Sequence, residues 1–576
     1  MYIDLLKLKC AYMKFNIIVL LLVGALLWSC TPKTTGPITK DTTSVPDKYN
    51  AENPVKLAVV ISVDQMRYDY LERFGSLFTG GLKELSEKST IYTQAYHEHS
   101  MTATAPGHAT LSTGCYPMNH GIIGNNFYNQ KTKRSIYGVS DPSVSLIGGA
   151  QAAPGVSPKN LKRNALGDHL KKASSKSKVF SVAIKDRTSI LLGGKKPNHA
   201  FWFDNGSLKF ISSSYYGRSL PSYIDEMKAM DLYADEIEKG WHKKLPDEAY
   251  KLSREDNFIF ENGQFLPEFP HTKKRTAGFI RPEMKNTMIM RLTPLGDKYV
   301  LDMAQKIIQE EQLGKDDKTD ILFVGCSNAD AIGHHFGPMS QEVQDYYLWL
   351  DEYLETFIAY LDKTVGRANY VIGLSADHGV LTMPEELSKR NIDAKRISGK
   401  DFLDMITQAE KKAATQLGVA DSLFLSAGSA GITPDYTLTR KKGHKDAKVR
   451  QVIAEALEEL DLVEEVFTLE TLAAPNGQEM QELFRRSSYP ERGHHIKMRY
   501  KENYLAGYSN NGTTHGSPYD YDQHVPILFF GGKIPAQKID RKVATVDLAP
   551  TMARLIGLQP KEKMDGEVLL EAVMSQ

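Results

Sequence analysis

Three aspartates, three histidines and one threonine carry the chemistry that this sequence suggests. In Asp330-Ala-Ile-Gly-His334 a carboxylate and an imidazole stand four residues apart. On a helix that spacing sets them side by side, a common way to hold a metal ion; in a solvated loop it does nothing. Asp377-His378-Gly379 offers adjacent ligands, which share an ion only where the chain turns sharply into the glycine. His515 lies in Asn511-Gly-Thr-Thr-His515-Gly516-Ser517, and alone it is no more than a turn histidine. Thr104 stands in Thr102-Ala-Thr104-Ala-Pro106-Gly-His108. Pro106 suits the first turn of a helix, so Thr104 sits at a helix N-terminus, where an oxyanion or a phosphate is favoured. Its hydroxyl becomes a nucleophile only with help, for which a metal is suited; otherwise it caps the helix.

Three apolar, β-branched runs must position these groups. Lys56-Leu-Ala-Val-Val-Ile-Ser-Val63 ends at Asp64, Asp320-Ile-Leu-Phe-Val-Gly325 precedes Asp330, and Tyr370-Val-Ile-Gly-Leu-Ser375 precedes Asp377 and His378. Continuous runs of this kind suit strands buried on both faces. Leu350, Leu354, Phe357, Ile358 and Leu361 recur at helical spacing between the last two, which makes a βαβ unit. Val300, Ala304, Ile307 and Ile308 predict another helix. The fold class is therefore α/β, a mostly parallel central sheet flanked by helices. Ligand sites in such sheets lie beyond the carboxyl ends of the strands, so Asp64, Asp330 and Asp377 converge on one rim.

The chain has 576 residues, more than one compact core usually spans. We divide it into core at 55–194, 291–383 and 501–576, with insertions at 195–290 and 384–500 that are candidates for caps over the site. A net charge of +1 supplies no global field for nucleic acid or an acidic membrane, so an anionic ligand must be met locally. The apolar run Ile17 to Leu27 behind Lys7, Lys9 and Lys14 reads as a signal peptide over 1–29, too short to span a bilayer. Met13 would open a more typical one than Met1. Cys30 directly after it resembles the lipidated cysteine of bacterial lipoproteins, although Trp28 is unusual there; simple cleavage is the alternative. Residues 30–54 read as a flexible tether. Cys115 and Cys326 form no disulfide framework.

Taken in order, these motifs resemble the alkaline-phosphatase superfamily, specifically its nucleotide pyrophosphatase/phosphodiesterase and PafA-type alkaline phosphatase branches. The resemblance runs through Val60-Ile-Ser-Val-Asp64, Thr104-Ala-Pro-Gly-His, Ser112-Thr-Gly-Cys-Tyr-Pro117, His120-Gly-Ile-Ile-Gly-Asn125, Asp330, His334, Ser375-Ala-Asp-His-Gly379, His515-Gly and Val546-Asp-Leu-Ala-Pro-Thr551. It implies two zinc ions, one on Asp330, His334 and His515, the other on Asp64, Asp377 and His378 with Thr104 bridging towards it. It implies attack by Thr104 on phosphorus and a phospho-threonine intermediate. Lys185 and Arg187 follow the run Val179-Phe-Ser-Val-Ala183 at i, i+2, which on an extended segment aims both to one side. In the PafA-type branch they hold phosphoryl oxygens with Asn125; otherwise they are a surface pair. Two cations favour the more highly charged monoester over a diester. The expected reaction is monoester hydrolysis on small-molecule phosphate esters. The alternatives are diester or pyrophosphate cleavage on the same metals, and a catalytically dead surface lipoprotein. Asn119 replaces the arginine of a sulfatase signature, which argues against that branch. The expected setting is an exported, periplasmic or outer-membrane-tethered lipoprotein, touching membrane only through its N-terminal lipid.

Overall fold

The computed structural model describes residues 55–573 apart from 150–152, 263–266, 273–284, 421 and 475. The signal-peptide, tether and Cys30 expectations lie outside the described residues. A ten-stranded sheet is built from β1 (Leu57–Val63), β2 (Thr90–Tyr96), β3 (Leu146–Ile147), β4 (Val179–Ala183), β5 (His199–Asp204), β6 (Lys209–Ser213), β7 (Asp320–Cys326), β8 (Tyr370–Ser375), β9 (His524–Gly531) and β10 (Gln537–Ala544). Its order is β10-β2-β9-β8-β1-β7-β4-β5-β6-β3. The central strands β8, β1, β7, β4 and β5 are parallel. Antiparallel pairing sets in at β9 on one side and β6 on the other.

The parallel centre follows from residue type. Every residue of β1, β4, β7 and β8 is buried, so apolar side chains dominate both faces and only small serines and the end residue Asp320 interrupt them. One face packs on α3 (Leu295–Glu310) and α5 (Gln341–Thr364), through Leu57, Val59, Ile61 and Val63 and their neighbours Leu322, Val324, Ile372 and Leu374. The helix Leu548–Leu555 lies under the opposite face, where a Cβ on Gly373 would come 2.7 Å from Met552 Sδ. Cys115 and Cys326 are free and buried. Among the described residues no helix is long and apolar enough to cross a membrane.

The two insertions differ from their expected form. Residues 199–213 supply β5 and β6, so the core continues past the expected boundary at 194. Flanking charges such as Asp204 and Lys209 hid these strands in the sequence. The rest of the first insertion packs Tyr223, Tyr233, Trp241 and Tyr250 into the core cluster of α3 and α5. It is a buttress, and none of its described residues lines the main cleft. The second insertion has its own hydrophobic core and a four-stranded sheet of Phe424–Gly428, Gly431–Pro434, Ile496–Tyr500 and Val463–Thr468. It extends past the expected boundary at 500, because Tyr504–Tyr508 pairs with Lys395–Ser398.

One glycine locks the helix that opens at Thr104 to the rim. A Cβ on Gly107 would lie 2.2 Å from the Asp377 carbonyl oxygen. Gly107→Ala should cost about 1–3 kcal/mol as overpacking. It should also displace Asp377, so a lowered denaturation midpoint and lost metal are the readouts.

Candidate active site

The site residues follow the strand order along the rim. Asp377 and His378 lie just past β8, Asp64 past β1, Asp330 on the helix after β7, and Lys185 past β4. The helix carrying Asp330 is Asn328–Phe336, so the i, i+4 spacing puts His334 Nε2 3.1 Å from Asp330 Oδ1. His515 Nε2 stands 3.5 Å from the same oxygen. His378 Nε2 lies 3.5 Å from Asp64 Oδ1 and 3.4 Å from Asp377 Oδ2.

These atoms fit metal ions. Bonds of 2.0–2.1 Å in a tetrahedron put ligand atoms about 3.3 Å apart, close to the spacings above. Asp64 Oδ1 and His378 Nε2 are buried without a hydrogen-bond partner, and Asp377 Oδ2 has only His108 Nδ1 at 3.1 Å, which leaves room for a bound ion to complete them. Each histidine is turned the right way. The Nδ1 atoms of His334, His378 and His515 donate to the carbonyl oxygens of Thr513 (2.7 Å), Gly379 (2.9 Å) and Thr102 (2.7 Å). A carbonyl only accepts, so each Nε2 presents its lone pair to the rim when the ring is neutral. The triples within mutual ligand reach are Asp330, His334, His515; Asp64, His108, Asp377; and Asp64, Asp330, His378. The first is an expected set. The second expected set, Asp64, Asp377 and His378, is divided between the other two triples.

Charge points the same way. Lys185 Nζ donates to Asp64 Oδ2 and Asp330 Oδ2, both at 2.6 Å. Burial and then the Asp377 charge push the Asp64 carboxyl well above its ordinary range, while Lys185 pulls it down. Burial raises Asp377 too, but His378 and His108 outweigh it and hold that carboxyl below the usual range. Burial drives His378 well below the ordinary imidazole value, against the opposing pull of the Asp377 charge. Three buried carboxylates against Lys185 and Arg187 leave an excess of negative charge that a metal cation would balance.

Thr104 opens α1 (Thr104–Thr113) as its first residue. The N-cap is Ala103, which makes no side-chain cap, so Thr104 does not cap the helix and its hydroxyl is left for other work. The Ala105 N–H donates to Asn125 Oδ1 at 2.8 Å, which brings the Asn125 amide to the same helix end. Arg187 Nη2 is 3.4 Å from Thr104 Oγ1. The expectation of one extended segment for Lys185 and Arg187 fails: Lys185 is extended, but Arg187 lies in the first turn of α2 (Asp186–Gly193). The chain turns there because β4 has ended and Asp186 starts a helix. Both cations nonetheless reach the rim.

The family model of type I phosphodiesterases and nucleotide pyrophosphatases matches residues 58–516. The chain belongs to this family. It is 34% identical over 548 residues to alkaline phosphatase PafA of Elizabethkingia meningoseptica, across 91% of this chain and 96% of that relative. It is 33% identical over 522 residues to alkaline phosphatase PhoV of Synechococcus elongatus, across 90% and 92%. The crystal structure of wild-type alkaline phosphatase PafA matches with a TM-score of 0.83 at 32% identity, covering 91% of this chain and 100% of that one. The fold is alkaline-phosphatase-like, and the chain is an enzyme of the phosphatase kind.

Two residues of this phosphatase site escaped the sequence reading. His108 Nδ1 is 2.8 Å from the Thr104 carbonyl oxygen and 3.1 Å from Asp377 Oδ2, tying α1 to a candidate ligand. Its place in the Thr104 run was the available signal. Gln65 has φ +66, and from that left-handed turn its N–H reaches Asp377 Oδ1 at 3.1 Å and its amide reaches Asp330 Oδ1 at 2.8 Å. No sequence signal marks a glutamine for that task. Asp522 fixes the His515 loop by accepting from the N–H groups of Gly516 and Ser517.

Proposed function

We propose that this enzyme is a two-zinc alkaline phosphatase that hydrolyses phosphate monoesters through a phospho-threonine at Thr104. The observation that supports it best is the rim itself: unpartnered ligand atoms of Asp64 and His378, with Asp377 between them, beside a threonine hydroxyl that caps nothing. One zinc would be held by Asp330, His334 and His515, and one by Asp64, Asp377 and His378. Carboxylate and imidazole suit zinc. When bound, the ions supply positive charge that favours the deprotonated threonine and the leaving oxygen. Thr104 Oγ1 attacks phosphorus in line; water then releases phosphate from the threonine. Arg187, Lys185 and the Asn125 amide receive the non-bridging oxygens, whose charge in a monoester two cations match. We place the enzyme in the exported fraction, anchored through Cys30.

The rival reading is a phosphodiesterase or nucleotide pyrophosphatase on the same metals, as the family name admits. Rates on an aryl phosphate and on its methyl diester decide between them, and a diester preference overturns the proposal. Purified enzyme should carry about two zinc ions per chain, and chelation should remove at least about 10³ of the rate, restored by zinc. Fewer than about one ion per chain would favour a catalytically dead surface lipoprotein.

A further inference from the structure

The cleft above the rim holds about 620 Å³ and has a wall that the reaction just described does not use. That wall comes from the second insertion. In the strand Ile496–Tyr500, Ile496 and Met498 point into the insertion's own core. Alternation then leaves Lys497 and Arg499, with Lys501 beyond the strand end, on the other side, and all three line the cleft. Two of these cations are already neutralised. Arg499 Nε is 3.2 Å from Glu465 Oε2, and Lys501 Nζ is 2.9 Å from Asp461 Oδ1.

Lys497 is different. Its ammonium donates to the Ser487 carbonyl oxygen at 2.9 Å and to Ser488 Oγ at 2.7 Å, both uncharged. Among the described residues it has no carboxylate partner. Burial without a counter-charge pulls its pKa down to about 7. Half-buried and with no anion beside it, the protonated amine is disfavoured, and an incoming anion in the cleft would favour it. The cleft that Lys497 lines is the one lined by Asn125, His334 and His515, and it also has aromatic walls in Phe127, Tyr128, Tyr500, Tyr504 and Tyr508.

We propose that Lys497 is the charged end of a leaving-group subsite, so that the enzyme favours phosphate monoesters whose aromatic leaving group carries a second anion, a carboxylate or a further phosphate. This rests on the monoesterase reading of the rim. With the phosphoryl group at Thr104, Lys185 and Arg187, the leaving group occupies the cleft, where rings stack on the tyrosines and the remote anion meets Lys497. A second role competes with this one. Ser487 closes the helix Glu479–Arg486, so Lys497 also sits at a helix C-terminus, where a cation is favoured. Ser487 Oγ in turn accepts from the N–H groups of Ser100 (2.8 Å) and Met101 (3.1 Å), just before Thr104. A purely structural lysine would therefore affect every substrate alike.

The test is kcat/KM of the zinc-loaded enzyme and of Lys497→Gln on phenyl phosphate and on its para- and meta-carboxylated analogues. We expect the wild type to favour at least one carboxylated ester by about tenfold, and the variant to lose that preference, the ~1.4 kcal/mol of one good charge contact. Phenyl phosphate should change by less than about twofold, which also reports an intact fold. Lys497→Arg should keep most of the preference. No preference in the wild type, or an equal loss on all three esters, overturns the subsite and leaves the monoesterase standing. Failure of the wild type to turn over phenyl phosphate overturns both.

Discussion

Thr104→Ala is expected to lower kcat/KM on an aryl phosphate by on the order of 10⁴, while leaving the fold and the metals in place. The separation of rate from stability follows from where the side chain stands. Thr104 is the first helical residue, its hydroxyl makes no cap, and among the described residues its one polar contact is the 3.4 Å approach of Arg187 Nη2. Alanine is at least as good a helix former, so the thermal midpoint should hardly move. Thr104→Ser keeps the hydroxyl and should stay within about tenfold of wild type. Acid quenching during turnover of labelled substrate should trap phosphate on Thr104 in the wild type and on nothing in the alanine variant. Label on the alanine variant, or an unchanged rate, removes Thr104 from the chemistry.

The parallel centre of the sheet was legible because its strands are buried on both faces and so consist of apolar runs: Leu57–Val63, Asp320–Cys326 and Tyr370–Ser375 are adjacent, in the order that aligns their terminal carboxylates. The rim was legible for the same reason, since a strand that ends in an aspartate announces where that aspartate goes. The outer strands His199–Asp204 and Lys209–Ser213 were missed because their ends are polar and half-buried, so no long apolar run marks them. Arg187 reached the rim by an unforeseen path. Its strand stops at Ala183 and the helix begins at Asp186, a boundary that an i, i+2 count does not register. Gln65 and Lys497 were illegible for a deeper reason. Their significance lies in which partners surround them, two carboxylates for one and none for the other: Asp377 and Asp330 lie hundreds of positions from Gln65, and Lys497 meets Ser487 and Ser488 at the end of a helix.

Arg187→Ala should cost about 10- to 150-fold on a phosphate monoester, the value of one hydrogen bond to a charged group, and much less on the methyl diester. The difference arises because a diester spreads less charge over its non-bridging oxygens, so less is lost when a guanidinium goes. Arg187 is a clean probe: burial lowers its pKa, but the Tyr137 hydroxyl and the Asp186 carboxylate beside it raise it further, so it stays a cation at any working pH, and its Nη2 already faces Thr104. Lys185→Ala should show the same bias in substrate but is less clean. Lys185 also neutralises Asp64 and Asp330 at 2.6 Å each, so its removal strands two buried carboxylates and should cost several kcal/mol of stability in metal-free protein. Bound metal would offset that loss, so the Lys185→Ala variant should depend on added zinc for its melting temperature more steeply than the wild type does. A monoester-to-diester rate ratio that Arg187→Ala leaves unchanged would mean the guanidinium does not touch the phosphoryl group, and the preference would have to come from the metals alone.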